Sequence, residues 1–222
     1  MNWLSTSLLL LTSQNVEEIK NGTEFIGIQS LGELTFWQPM IELPAKNRLH
    51  SEELSSERDS LKDLMIRCWK STGRILSGQG DGCGIETTRH FGNFKLSFGW
   101  RVTHGSEATV FIRGSPAFRL RDPRNRIDKE FGLGSGGLFM NEVFKSVPLM
   151  FADRPVGEWN QVEIESIGDR TSVWINRRQV VDRIPLESFW KSSQPNPMNG
   201  PIGFSAVRGS VHFRDLEIQA RR

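Results

Sequence analysis

A chain of 222 residues and 25.3 kDa has room for one sizeable core, and 37% hydrophobic with 24% charged residues describes an ordinary globular protein, which excludes disorder throughout. A net charge of +2 without a dense basic stripe excludes a nucleic-acid footprint, so nucleic acid is not an expected partner. Seven Trp and fourteen Phe with no Tyr suit either a packed core or platforms for sugar rings.

Residues 1–13 read MNWLSTSLLLLTS, and the leucines at 8–11 fall far short of the roughly 20 apolar residues that a membrane-spanning helix needs. No transmembrane span is expected. The run is similar to the apolar core of a secretory leader, but it lacks a preceding Lys or Arg and a small-x-small cleavage site. Residues 1–20 therefore read either as a leader, which places the protein in the periplasm or outside the cell, or as a tail or buried strand. Residues 21–222 are expected to form one domain.

Two short strands fit residues 21–42, where Phe25, Ile26 and Ile28 precede Leu34, Phe36 and Trp37. Residues 51–65 change character. Ser51 is placed to cap a helix, Glu52 and Glu53 suit its positive end, and Leu54, Leu61, Leu64 and Met65 make a stripe interrupted at Arg58. Either the one helix of the chain or a loosely packed surface insertion satisfies this pattern. Residues 66–77 read as a hairpin turning at Ser71-Thr72-Gly73, and the glycines of 78–84 lack the spacing of a nucleotide-binding fingerprint and read as a loop. Cys68 and Cys83 are the only cysteines. Hairpin geometry is able to bring them together, but spacing alone does not specify a disulfide, and a cytosolic location would favour two free, buried thiols.

In residues 93–102, Phe94, Leu96 and Phe98 alternate with Lys95 and Ser97, and residues 108–113 are expected to pair with that strand across the polar 104–107 connection. Residues 116–122 form a further strand, ended by Asp122-Pro123. A charged loop follows at 124–130, and the glycines of 132–137 are expected to cross the surface or line an opening. Residues 157–182 give the clearest pattern. Val162 and Ile164 alternate with Gln161, Glu163 and Glu165, Gly168-Asp169-Arg170 turns the chain, and Thr171 to Ile175 returns before a second turn at Asn176 leads into Val180-Val181. Residues 185–201 are linker-like, with Trp190 among polar residues, and strands at 200–205 and 210–218 close the pattern.

Chemistry is sparse on this frame. Alternation sets Arg113 opposite Ile112 and Asp122 at the end of the neighbouring strand, so the two either line a polar groove suited to sugar hydroxyls or pair with each other. Glu163 and Glu165 share a strand face at a spacing seen in paired carboxylates, yet a wet face accounts for them. The four histidines are dispersed, and His104-x-x-Glu107 is the only near-pair with ligand chemistry, so no metal and no cofactor is expected. Trp159 and Trp174 fit a core, whereas Trp190 fits a sugar platform.

Taken in order, Gly92-Asn93-Phe94, Phe111-Ile112-Arg113, Gly157-Glu158-Trp159-Asn160, Val173-Trp174-Ile175-Asn176, Gly200-Pro201-Ile202-Gly203 and Phe213-Arg214-Asp215-Leu216 resemble the 3-keto-disaccharide hydrolase domain family. The likeness covers residues 66–218. It implies an all-β, concanavalin A-like jelly-roll sandwich, here with one short helical insertion, and exported bacterial proteins that process carbohydrate. The departures bear on chemistry. The family's Gly-Asn-Ser-Gly before Phe-x-Arg is replaced by residues 105–110, and its Glu-x-Gln-x-x-Asp strand reads Ala117-Phe118-Arg119-Leu120-Arg121-Asp122. Its Gln-Asp-His-Gly becomes a segment ending Val207-Arg208-Gly209, without acid or imidazole. The resemblance thus implies Asp122 as acid or base, with Arg113, Arg119 and Arg208 at positions of the family's site, and His104, Glu107 and Trp190, marked by their own chemistry, are expected beside them around a carbohydrate ligand. Two functions follow: hydrolase or lyase processing of glycosides or 3-keto-sugars, and a carbohydrate-binding or cell-surface module that has lost the chemistry.

Overall fold

The computed structural model describes residues 23–27, 35–41, 48–80, 83–124, 134–141, 143–144, 146–187 and 197–221. Their strands are β1 Thr23–Gly27, β2 Trp37–Pro39, β3 Trp69–Thr72, β4 Ile75–Gln79, β5 Gly84–Thr87, β6 Asn93–Val102, β7 Glu107–Phe111, β8 Ala117–Arg121, β9 Leu138–Phe139, β10 Asn160–Ile167, β11 Arg170–Ile175, β12 Arg178–Pro185, β13 Gly203–Arg208 and β14 Ser210–Arg221. One helix accompanies them among the described residues, α1 Ser51–Cys68. The larger sheet runs β12-β11-β10-β6-β14-β4-β3, with β1 beside the second half of β14, and the smaller runs β2-β5-β13-β7-β8-β9. Neighbouring strands pair antiparallel throughout. The fold is the all-β jelly-roll sandwich that the alternating pattern and the resemblance implied.

The period of two makes each sheet dry on one face. Phe94, Leu96, Phe98 and Trp100 of β6 and Val211 and Phe213 of β14 point inward from the larger sheet, and Val110, Phe118, Leu120 and Phe204 meet them from the smaller. Phe204 is the hinge of this packing: its ring lies 4.7 Å from that of Phe213 and 5.5 Å from those of Phe98 and Trp37. The β10–β11–β12 meander forms as read from its residues. Its second turn is tight because Asn176 and Arg177 both adopt positive φ, the conformation a two-residue hairpin loop requires. Asn176 holds it by donating to Ala152 O at 2.8 Å and to Asn160 Oδ1 at 2.7 Å.

Three readings of the sequence need correction. Strands β6 and β7 lie in different sheets: β6 pairs with β10 and β14, and β7 with β13 and β8, so residues 103–106 cross from sheet to sheet instead of turning a hairpin. The helix starts after His50, whose backbone N–H donates to Glu53 Oε2 at 2.8 Å, and runs to Cys68, three residues past Met65. It ends there because Trp69 turns extended to bury its indole. The glycine-rich segment is buried over residues 134–137, where Gly136 sits so close to Val180 that a Cβ would come within 2.6 Å of its Cγ2.

Candidate functional site

The outer face of the smaller sheet carries charge that its inner face excludes. Inward-pointing Ala108, Val110, Phe118 and Leu120 force Glu107 and Thr109 of β7 and Arg119 and Arg121 of β8 outward. Register then places Glu107 opposite both Arg121 and Arg208, and Thr109 opposite Arg119 and Ser205. Glu107 Oε1 lies 3.2 Å from Arg119 Nε, and its Oε2 lies 3.9 Å from Arg208 Nη2. The Arg119 guanidinium also stands 4.7 Å from the Phe139 ring centroid, so it is held between a carboxylate and an aromatic face. Towards the β2 edge, buried Glu86 accepts from Gln38 at 3.1 Å and from Arg58 at 2.7 Å, which pins α1 across that end of the face.

The opposite, loop end of the same sheet opens into a pocket of about 640 Å³, lined by His104, Pro123, Arg124, Phe151, Asp153, Arg154, Pro155 and Val156. Asp122 lies behind this lining, held against His104 and Arg124. Its Oδ2 accepts the Gly105 N–H at 2.9 Å, its Oδ1 accepts the Arg124 N–H at 2.9 Å, and the Arg124 guanidinium folds over both oxygens at 3.3 and 3.2 Å. Only 3% of Asp122 is exposed, whereas the His104 side chain is 73% exposed, touches Arg124 Nη2 through Nδ1 and has that nitrogen 4.0 Å from Asp122 Oδ2. Arg208 Nε donates to Gly105 O at 3.0 Å, so one residue, Gly105, links Asp122 to the Glu107 cluster.

Five of the seven residues singled out in the sequence thus meet at one end of the smaller sheet: His104, Glu107, Arg119, Asp122 and Arg208. Arg113 does not join them. It sits in the turn at the other end of the β7–β8 hairpin with φ of 54°, and no groove or ion pair with Asp122 forms. Its guanidinium donates to Gly92 O at 3.1 and 2.7 Å and to Gly168 O at 2.6 Å, and burial lowers its pKa. Arg113→Met removes these donors from two carbonyls and is expected to lower stability by about 2–3 kcal/mol. Urea unfolding measures it, and a loss below about 0.5 kcal/mol contradicts the clamp. Trp190 lies outside the described residues. Among the described residues no cluster of three metal-ligating side chains occurs.

Glu163 and Glu165 stand on the outer face of the other, larger sheet, where Glu163 pairs with Lys95 at 2.6 Å. Trp159 lies under the guanidinium groups of Arg101, at 4.8 Å, and Arg214, at 4.2 Å. The pocket residues Arg124, Phe151, Asp153 and Arg154 escaped sequence reasoning. The sole hint was the Val147-Pro148-Leu149-Met150-Phe151 run, too broken by proline for a strand and too apolar for a free loop.

Asp153 has an unusual setting. Its Oδ2 accepts the Ser135 N–H at 2.8 Å while buried Oδ1 has no hydrogen-bond partner, and burial raises its pKa against the opposing pull of Ser135 and Arg121. A raised folded-state pKa contributes stability that is complete below the unfolded value near 4 and is lost as pH rises through the folded value. The difference in Tm between Asp153→Asn and the natural protein is therefore expected to shift in the variant's favour between about pH 3.5 and 7. A pH-independent difference contradicts this account.

A family model described as the 3-keto-alpha-glucoside-1,2-lyase-like domain matches residues 52–219. A solved candidate glycosyl hydrolase from Parabacteroides distasonis ATCC 8503 superposes with a TM-score of 0.56 at 16% identity, covering 71% of this chain and 85% of that one. A second candidate glycosyl hydrolase of the same organism gives 0.52 at 16% identity, covering 83% and 98%. Both likenesses are of fold. No curated protein matches the chain.

Proposed function

Because the chain belongs to the 3-keto-alpha-glucoside-1,2-lyase-like domain family, and so carries a carbohydrate-related domain, we propose that it binds a glycoside or 3-keto-glycoside in the pocket beside Asp122 and cleaves it by proton transfer. The observation that carries this reading is the composition of that pocket. Phe151, 43% exposed, offers an apolar ring for a sugar face, while Arg124 and Arg154 offer forked donors for hydroxyl or carbonyl oxygens. In a 3-keto-sugar the carbonyl acidifies the proton on C2. Its removal breaks the C1–O bond and leaves a departing oxygen to be protonated. His104 is the exposed group of the pocket suited to carry that proton near neutral pH. Asp122, with both oxygens engaged, acts as its positioning residue: it fixes the Gly105 peptide and presents negative charge towards the imidazole.

The binding-module reading has one observation in its favour. The carboxylates on this side of the smaller sheet, Glu107, Glu86 and Asp122, are each met by Arg side chains. Purified protein assayed against glycosides and their 3-keto derivatives, with binding followed by Trp fluorescence, separates the two. Turnover that depends on His104 supports cleavage, binding without turnover supports the module, and the absence of both removes carbohydrate from the pocket.

A further inference from the structure

Cys68 closes α1 and Cys83 stands immediately before β5, yet the fold brings the two together. The indole of Trp69, the residue after Cys68, donates to Cys83 O at 3.0 Å, and the Cys68 side chain lies close enough to Cys83 to perturb its thiol. Both are free and buried in the common core. The same helix meets β5 a second time through Arg58 and Glu86, at 2.7 Å. Covalent closure here would therefore tie helix to sheet where they already touch, with the whole β3–β4 hairpin inside the loop.

We propose that Cys68 and Cys83 are a disulfide-forming pair that closes by exchange with a low-molecular-weight disulfide while the chain folds. One protein thiolate attacks a sulfur of the reagent, expels one thiol and leaves a mixed disulfide; the second protein thiolate then displaces the other half. The protein loses two electrons and two protons, and the reagent is reduced to two thiols. The reaction belongs to folding because the native core shields both sulfurs from solvent. Burial together with the Cys68 thiol pushes the Cys83 thiol up to about 12, which leaves the folded protein little thiolate to react. A chain folded in a reducing compartment keeps two inert thiols, and one folded in an oxidising compartment is stapled.

Refolding from denaturant in a buffer of oxidised and reduced glutathione, followed by intact mass and thermal melting, tests the pair. The expected product is a monomer lighter than the reduced chain by two hydrogens. Its Tm is higher by roughly 5–10 °C, as closure of a loop of this length predicts. Cys68→Ser shows no such gain, and the folded reduced protein in the same buffer oxidises far more slowly than the refolding chain. A refolded product that keeps both thiols, carries glutathione, or links two chains overturns the proposal. So does an intramolecular disulfide with an unchanged or lower Tm, or native oxidation as fast as that during refolding.

Discussion

Replacing His104 by Gln is expected to lower turnover of a cleaved glycoside or 3-keto-glycoside by about 10²–10⁴-fold, while affinity changes by less than about tenfold. Gln keeps the length and part of the hydrogen bonding of the imidazole but cannot take up and release a proton. The loss therefore falls on kcat. Exposure of 73% for the His104 side chain also means that the substitution leaves the core untouched. Asp122→Asn serves as the contrasting variant. It keeps the size and shape of the side chain and one of the two acceptors that meet the Gly105 and Arg124 N–H groups, yet removes the charge that faces His104, so it should shift the imidazole limb of the pH–rate profile and cost less than the His104 substitution. If His104→Gln retains natural turnover with an unchanged pH profile, proton transfer does not run through this pocket.

Phe204→Ala is expected to lower stability by about 3–5 kcal/mol, a fall in Tm on the order of 10 °C. Phe204 has no exposed surface and touches rings from both sheets, Trp37 on its own and Phe98 and Phe213 opposite. Deleting the ring removes buried apolar area and leaves a cavity that strands locked in antiparallel register cannot collapse to fill. Paired urea and thermal unfolding give the number. A loss under about 1 kcal/mol would show that the sheets can close over the gap, and so would displace Phe204 from the centre of the packing.

Much of the strand pattern was legible because the period of two is a local property: whichever sheet a strand joins, Val162 and Ile164 must face one way and Glu163 the other. Partnership is not local. The pattern of β6 and β7 reads the same whether residues 103–106 make a hairpin or a crossing between sheets, and only packing of the whole sandwich decides for the crossing. The helix was visible from its acidic first turn and its Leu and Met stripe, but its last three residues were not, since burial of Trp69 sets its end. At the candidate site, Arg119 and Arg208 were marked by resemblance and Glu107 by its spacing from His104, and no spacing ties the three to one another. Their juxtaposition comes from the register of β13, β7 and β8. Phe151, Asp153 and Arg154 sit in a loop, where no period constrains side-chain direction, and the pocket they complete emerges only when that loop docks beside His104.

Strand β14 has a consequence for how the molecule is made. It lies between β6 on one side and, on the other, β4 along its first half and β1 along its second, the change coming at a register shift after Arg214 where Asp215 adopts positive φ. Each of these partners comes from far earlier in the chain. Until residues 210–221 have left the ribosome, β6 lacks one of its two neighbours and the inner face of the larger sheet lacks Phe213, so Phe98 and Phe204 miss the third ring of their cluster. The larger sheet is therefore completed after synthesis of nearly all that precedes it, by contacts of long sequence separation, which places folding in the slow, millisecond-to-second range of sandwich proteins. In the interval β4 and β6 both present open edges, and that is when the chain is most exposed to pairing with the wrong strand.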